Sequence, residues 1–296
     1  MKSQLKFLAR ACVLISLAMP VTAQQPPVLP PLNSPATDIS SPGKFIWFDL
    51  ATPAIVDQRG FYNDVFGWSY QTPVRTGDDY VLVMNRGKAI AGMFKVEPPG
   101  GEQDGATWIA LMSVTDPAQA LQTAKNHGGK VELEPVQVAQ RGQHALIRDP
   151  EGALFGVLKS VSGDSPDQEV SIGGIIWVDL FARDVEKMAS FYSQLAPYSV
   201  TERKVVEGIN GRLLSSQGAT RAGIVAVDEE ANRSAWVPYV RVENVEATLA
   251  KVVEAGGFTI VAPDKVIFDG NLAVFVDPNG GVMGIVKWAY DSELSQ

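Results

Sequence analysis

The sequence predicts an α+β protein of four βαβββ modules, arranged as two tandem domains that each form a cup-shaped mixed sheet. Three observations predict it. "IWFDLATP" with "FYNDVFGW" in residues 46–68 returns as "IWVDLFARDVEKMASFY" in residues 176–192, so the chain writes one strand-and-helix phrase twice, about 130 residues apart. Trp108 recurs as Trp236, and the turn Asp149-Pro150 recurs as Asp277-Pro278. Repetition at this length marks a duplicated domain, because solenoid repeats are several times shorter.

The elements follow in order. Residues 1–23 read as an export signal: Lys2, Lys6 and Arg10 form a basic start, Ala11 to Met19 an apolar core, and Val21-Thr22-Ala23 a small-residue cleavage site. Residues 24–43 are rich in Pro and Ser and read as an extended tether. The first domain is expected over 44–161. "KFIWFDLA" is a strand, Thr52 an N-cap and Pro53 the first helical turn, with Phe61, Tyr62 and Phe66 at helical spacing. Strands follow around 68–74, 78–85 and 89–96, and "PPGGEQDG" (98–105) interrupts the pattern. The cycle restarts with a strand at 107–114 and a helix opened by Asp116-Pro117 and closed by His127-Gly128-Gly129. Strands near 130–138, 143–148 and 153–159 complete it. Residues 162–171 form a linker, and 172–290 repeat the domain.

Composition narrows the function. The 296 residues are 46% hydrophobic and 20% charged, with a net charge of −8, as expected of a soluble globular chain. Cleavage after Ala23 removes three basic residues and no acid, leaving −11. Such a surface repels nucleic acid and anionic membranes, so neither is an expected partner, and no membrane insertion is expected after cleavage. Cleavage also removes Cys12, the only cysteine, so hydrophobic cores rather than disulfides must hold both domains. No Gly-x-Ser-x-Gly elbow, Walker loop or dinucleotide fingerprint is present.

The paired βαβββ modules, the strand–helix "FY" phrases and the "DPEG" and "DPNG" turns resemble the vicinal oxygen chelate superfamily, which includes glyoxalase I, bleomycin-resistance proteins and extradiol dioxygenases. The resemblance covers nearly all of 44–290. It implies a cup in each domain, with a metal bound by His, Gln or Glu at the first strands and by a carboxylate on a last strand. In the family's pattern the first ligand stands fourteen residues before the Phe of "FY", which here gives Trp47 and Trp177. In the second modules it stands about twenty residues before the Gly-Gly that closes the helix, which gives Trp108 and Trp236. The late carboxylate falls on Gly156 and Gly284. An indole N–H only donates and glycine has no side chain, so no metal and no cofactor are expected. His127 and His144 read as surface or strand residues, neither of them beside another ligand.

The candidate ligand-binding residues are therefore Trp47, Asp49, Trp108, Trp177, Asp179 and Trp236. Four indoles offer flat polarizable surface to an aromatic or cationic guest. Asp49 and Asp179 follow the first and third Trp by two residues and share their face of the strand. An acid there needs a partner: it either holds a ligand group or caps a nearby amide. Tyr62 and Tyr192 read as core-edge residues with wet hydroxyls, and Asp149 and Asp277 as turn residues without catalytic roles. Trp68 has no counterpart in the second copy, so the two cups are expected to differ. The expected function is metal-independent binding of a small, partly aromatic molecule by an exported, periplasmic protein without a catalytic residue. A metal-dependent lyase, isomerase or dioxygenase and an envelope interaction module with filled cups are the alternatives. A homodimer stays open.

Overall fold

The computed structural model describes residues 28–74, 76, 79–96, 105–206, 209–228 and 234–290; the expected signal peptide and nearly all of the 98–105 loop lie outside them. The first module comprises β1 (Phe45–Thr52), α1 (Ile55–Phe66), β2 (Ser69–Gln71), β3 (Tyr80–Asn85) and β4 (Lys88–Lys95). The second comprises β5 (Thr107–Ser113), α2 (Pro117–Asn126), β6 (Lys130–Val138), β7 (Gly142–Arg148) and β8 (Leu154–Ser160). The third runs through β9 (Ile175–Ala182), α3 (Val185–Leu195), β10 (Ser199–Val206), β11 (Ile209–Ser216) and β12 (Ala219–Ala226). The fourth has β13 (Ala235–Arg241), α4 (Val245–Glu254), β14 (Phe258–Val261), β15 (Leu272–Val276) and β16 (Val282–Val286).

Local chemistry explains the helices. In α1 the buried side chains Ile55, Gln58, Phe61, Tyr62 and Val65 recur at helical spacing, and Gly67 ends the helix in the left-handed region. Asp116, Asp184 and Asn244 cap α2, α3 and α4 by accepting backbone N–H groups of the first turn. The expected cap at Thr52 is displaced. Thr52 is the last residue of β1, its hydroxyl accepts from the Ala54 amide, and the helix starts at Ile55 without a side-chain cap.

The strand orders are β2-β3-β4-β1-β5-β8-β7-β6 and β10-β11-β12-β9-β13-β16-β15-β14. Both central strands pair antiparallel across the module boundary, β1 with β5 and β9 with β13, and parallel with the last strand of their own module. Each cup therefore forms within one domain.

Side-chain alternation splits every central strand. Phe48 and Leu50 of β1, with Trp108, Ala110 and Met112 of β5, face the helices. They join Val178, Leu180 and Trp236 in one core that spans both domains. The sheets thus pack back to back, meeting at β5 and β13, with α1 against α4 and α2 against α3 on the flanks. Trp47, Ala51, Ile109 and Leu111 face away, into the first cup, and Val237 and Tyr239 face the second.

Two matching relays join the domains. The Trp108 indole donates to the Tyr62 hydroxyl (2.9 Å), which donates to Asp277 of the other domain (2.8 Å); Gln58 donates to the same carboxylate oxygen (3.0 Å). The Trp236 indole donates to Tyr192 (2.8 Å), which donates to Asp149 (3.0 Å). Both tyrosine hydroxyls are dry, against the expectation of wet ones, because the partner domain covers them. Asp149 and Asp277 are turn residues as expected, each accepting two amides of its own turn, and they also receive the partner domain's tyrosine.

The expected tether does not hang free over its described part. Val28 bridges to Ala139, Asn33 and Thr37 bond Ser162 and Gly163, and the Ser41 amide donates to Asp164. Residues 28–41 lie along the first domain and the linker.

Burial pushes the Asp149 carboxyl up from 3.8 to about 6, despite its two amides and Tyr192. The folded chain then holds this proton more tightly than the unfolded one. The stabilisation is complete below about pH 4 and is lost as pH rises through about 6. Asp149→Asn, neutral at every pH, is accordingly expected to cost about 2 kcal/mol more near pH 4 than near pH 7, measured by urea unfolding at both.

Candidate functional site

Each cup presents a Trp, an Asp, a Tyr and an Arg. In the first, the Trp47 indole donates to Asp49 Oδ1 (2.9 Å) and the Tyr80 hydroxyl donates to the same oxygen (2.8 Å). The Arg141 guanidinium lies over the Trp47 ring, 4.0 Å from its centroid, and its Nε donates to the Pro30 carbonyl (2.9 Å). Burial raises the Asp49 carboxyl, with Arg141 pulling the other way, and burial lowers the Arg141 guanidinium. Leu32 from the N-terminal segment packs on the cluster of Trp47, Leu111 and Leu158 and helps close the cup, and Leu29 of the same segment is buried.

In the second cup the Trp177 indole donates to Asp179 Oδ1 (2.7 Å), to which Arg203 also donates in an ion pair. Burial and the adjacent Asp179 raise the Tyr239 hydroxyl well above its usual value. The apolar residues around them are Val237, Val274 and Val286, with Ile176, Phe181 and Leu272 at the margin. Trp177 is only half-buried, and no described residue ahead of β9 joins this cluster as Leu32 joins the first.

The structure corrects the expectation of four indoles in the cups. Trp47 and Trp177 are there, with Asp49 and Asp179 beside them. Trp108 and Trp236 point to the opposite face, into the interdomain core, because Trp108 lies opposite Leu50 and Trp236 opposite Leu180 in the sheet. The cup-facing residues of those strands are Ile109 and Leu111, and Val237 and Tyr239. A count inexact by one residue reverses the face of a strand. Trp68 likewise serves the domain interface, where its indole donates to the Gly173 carbonyl (2.7 Å).

Tyr80, Arg141, Arg203 and Tyr239 were not legible as site residues. Tyr239 had a signal, three residues after Trp236 and so on the other face. Arg203 sits in "TERKVV", which reads as an exposed edge, and Arg141 comes from a hairpin with no periodicity. His127 ends α2, and His144 lies on β7 facing the first cup, its Nε2 buried without a partner. Burial, aided by Arg141, pushes His144 down to about 4.

The metal pattern implied by the resemblance does not fit these residues. Indoles stand at the cup positions of β1 and β9, with Ile109 and Leu111 at those of β5 and Val237 and Tyr239 at those of β13. The places of the late carboxylates are roofed: a Cβ on Gly156 would meet Leu111 at 2.8 Å, and one on Gly284 would meet Tyr239 at 2.2 Å. Among the described residues each cup shows one carboxylate, Asp49 or Asp179, already bonded to an indole. Among the described residues no three His, Cys, Asp or Glu gather as a metal site.

Gly92 and Gly223 make room for the two carboxylates. A Cβ at Gly223 would stand 2.2 Å from Asp179 Oδ1 and 2.3 Å from Arg203 Nη1. Gly223→Ala is therefore expected to split the Asp179–Arg203 pair and destabilise the protein by about 1–3 kcal/mol, with a changed Trp177 emission. Gly60→Ala, on an exposed helix face with nothing within 4 Å, should be neutral or stabilising by about 0.5–1 kcal/mol. Thermal unfolding and fluorescence of both variants check this.

Comparison with known proteins agrees with the geometry. Residues 45–157 match the Glyoxalase/Bleomycin resistance protein/Dioxygenase superfamily, and residues 176–286 match a glyoxalase-like domain. The protein named "Putative glyoxylase CFP32" of Mycobacterium tuberculosis (strain CDC 1551 / Oshkosh) is 26% identical over 243 residues, spanning 81% of this chain and 93% of the relative. The anthracycline biosynthesis protein DnrV of Streptomyces peucetius is 25% identical over 263 residues, spanning 83% and 94%. Among solved structures, the Mn(II)-bound glyoxalase from Novosphingobium aromaticivorans matches with a TM-score of 0.55 at 14% identity, over 84% of this chain and 83% of that one. The 2,3-dioxygenase LapB from Pseudomonas sp. KL28 matches with a TM-score of 0.56 at 13% identity, over 85% and 94%. At these identities the two structures speak for the fold alone. The sheet topology, the repeat and both domain matches agree: the chain belongs to the glyoxalase/bleomycin resistance protein/dioxygenase superfamily, as a tandem two-domain member.

Proposed function

We propose that this protein binds a small, partly aromatic molecule without a metal, after export to the periplasm, and that the second cup is the seat. The half-buried Trp177 carries the reading. Its N–H is tied to Asp179, so the ring is held in place while part of it stays reachable. A pre-positioned aromatic face costs a ligand little ordering entropy, and stacking adds to simple area burial. Arg203 beside it keeps a partly exposed guanidinium that can hold an acceptor on the guest. The corrected geometry leaves one indole per cup, and the guest accordingly has one ring to stack on.

Metal independence is supported by the donor chemistry of both cups, and export by the pattern of residues 1–23. The relatives named for the biosynthesis of anthracyclines, a fused-ring aromatic class, support an aromatic guest. Those named as glyoxylases favour the rival reading, a metal-dependent lyase of that type. The first cup is covered by the chain's own N-terminal segment, through the Pro30 carbonyl and Leu32.

Equilibrium titration of intrinsic Trp fluorescence against a panel of aromatic metabolites and antibiotics tests the proposal. A saturable quench or shift that disappears in Trp177→Leu is expected; no response to any compound counts against binding. Elemental analysis separates the rival: stoichiometric Ni, Zn, Fe or Mn in the purified protein overturns metal independence.

A further inference from the structure

The first cup contains two polar atoms that the described residues leave unanswered. Arg141 is 1% exposed, yet its Nη1 has no hydrogen-bond partner among the described residues, and the buried Nε2 of His144 has none there either. Burial of unpaired polar atoms is costly and most of all for a charged group. Asp49 acts on Arg141 through space, while its own hydrogen bonds come from Trp47 and Tyr80. Among the described residues the guanidinium stacks on the Trp47 indole and donates to one backbone carbonyl, that of Pro30. This is a built site whose guanidinium meets its counter-charge, Asp49, only through space and makes no direct ion pair among the described residues; Trp47, Tyr80, Leu111 and Leu158 wall it.

The cover over it is divided in two. Residues 33–41 are latched to the linker through Asn33, Thr37 and Ser41, which bond Ser162, Gly163 and Asp164. Residues 28–32 reach over the cup with much less: the Val28–Ala139 bridge, the Pro30 carbonyl and the side chain of Leu32, while Leu29 between them is buried. The latch keeps this short strap close to the cup at high effective concentration even when it lifts.

We propose that the first cup is a binding site for a small aromatic carboxylate, seated on Arg141 and His144 with its ring against Trp47, and that residues 28–32 are the chain's own occupant, displaced when the ligand enters. The Pro30 carbonyl then stands where a carboxylate oxygen sits in the filled site, and the Leu32 side chain, packed on the Trp47 cluster, stands where the ring sits. A carboxylate supplies the ion pair that Arg141 lacks, and charge-assisted bonds to a buried guanidinium are the strong ones. This proposal rests on the reading that the cups of this protein hold ligands, and it adds a second, gated cup to the open one.

Calorimetric titration of the full chain with benzoate, and with benzamide as its uncharged counterpart, is the test. Benzoate is expected to bind the Leu29→Ser/Leu32→Ser variant at least tenfold more tightly than the parent, since the competing strap is loosened. Binding should be lost in Arg141→Met, reduced in His144→Ala and retained in Trp177→Leu, and benzamide should bind far more weakly. In the parent, benzoate should speed amide exchange at Val28, Leu29 and Leu32. No benzoate binding to the strap variant at millimolar concentration overturns the proposal, as does an affinity that ignores the strap substitutions or a benzamide affinity equal to that of benzoate. Binding that persists in Arg141→Met and vanishes in Trp177→Leu also overturns it, while leaving the second-cup function standing. If Arg141→Met does not fold, the strap and His144→Ala comparisons decide alone.

Discussion

The two Trp–Tyr–Asp relays hold this molecule in its arrangement. In each, an indole on the central strand of a second module orients a helix tyrosine, which reaches a carboxylate in the turn of the opposite domain. All these groups are buried, so an unpaired member would cost its full desolvation. The tyrosine hydroxyl both accepts and donates, and so satisfies the indole and the carboxylate together. The relays bring the helix-covered faces of the two sheets into one core. The same choice turns both concave faces outward, and the cups open on opposite sides of the double domain.

Around that shared frame the cups have diverged. Both retain a Trp-x-Asp in which the indole binds its own strand's acid, over a glycine that gives the carboxylate room. The remaining partners come from different places. The first cup draws its Tyr from β3 and its Arg from the hairpin before β7; the second draws its Arg from β10 and its Tyr from β13. Similar side-chain chemistry has been reached along separate strands, so the cups are not copies in their polar detail. One is shut by a segment of the chain, and the other keeps part of its indole exposed. Ligand recognition in the two cups accordingly places different demands on a guest, even though the backbone beneath is duplicated.

Glycine has a different meaning in this chain than the metal pattern suggests. Gly156 and Gly284 lie beneath Leu111 and Tyr239, whose side chains occupy the volume of the late carboxylate in the metal-bearing pattern. Together with the indoles at Trp47 and Trp177, they turn the polar floor of a metal cup into packed apolar surface with one anchored acid. The acid is bonded on two sides in each cup, by Trp47 and Tyr80 in the first and by Trp177 and Arg203 in the second.

Read alone, the chain determined its fold, its duplication and nearly every element. Those properties follow from periodicity, caps and turns that act between residues close in sequence: Asp116 caps its own helix, and Asp149 closes its own turn. The presence of Trp47 with Asp49 and of Trp177 with Asp179 on one cup face was legible too, because a step of two along a strand keeps the side. Only the tertiary structure decided which face Trp108 and Trp236 take, since one residue of register separates cup from core. It also decided that Tyr62 and Tyr192 serve the opposite domain, that Arg141 and Arg203 reach the two Asp–Trp pairs, and that a proline-rich leader lies over a cup. Each of these is a contact between residues far apart in the chain, made by burying surfaces whose complementarity exists only once both sheets have formed.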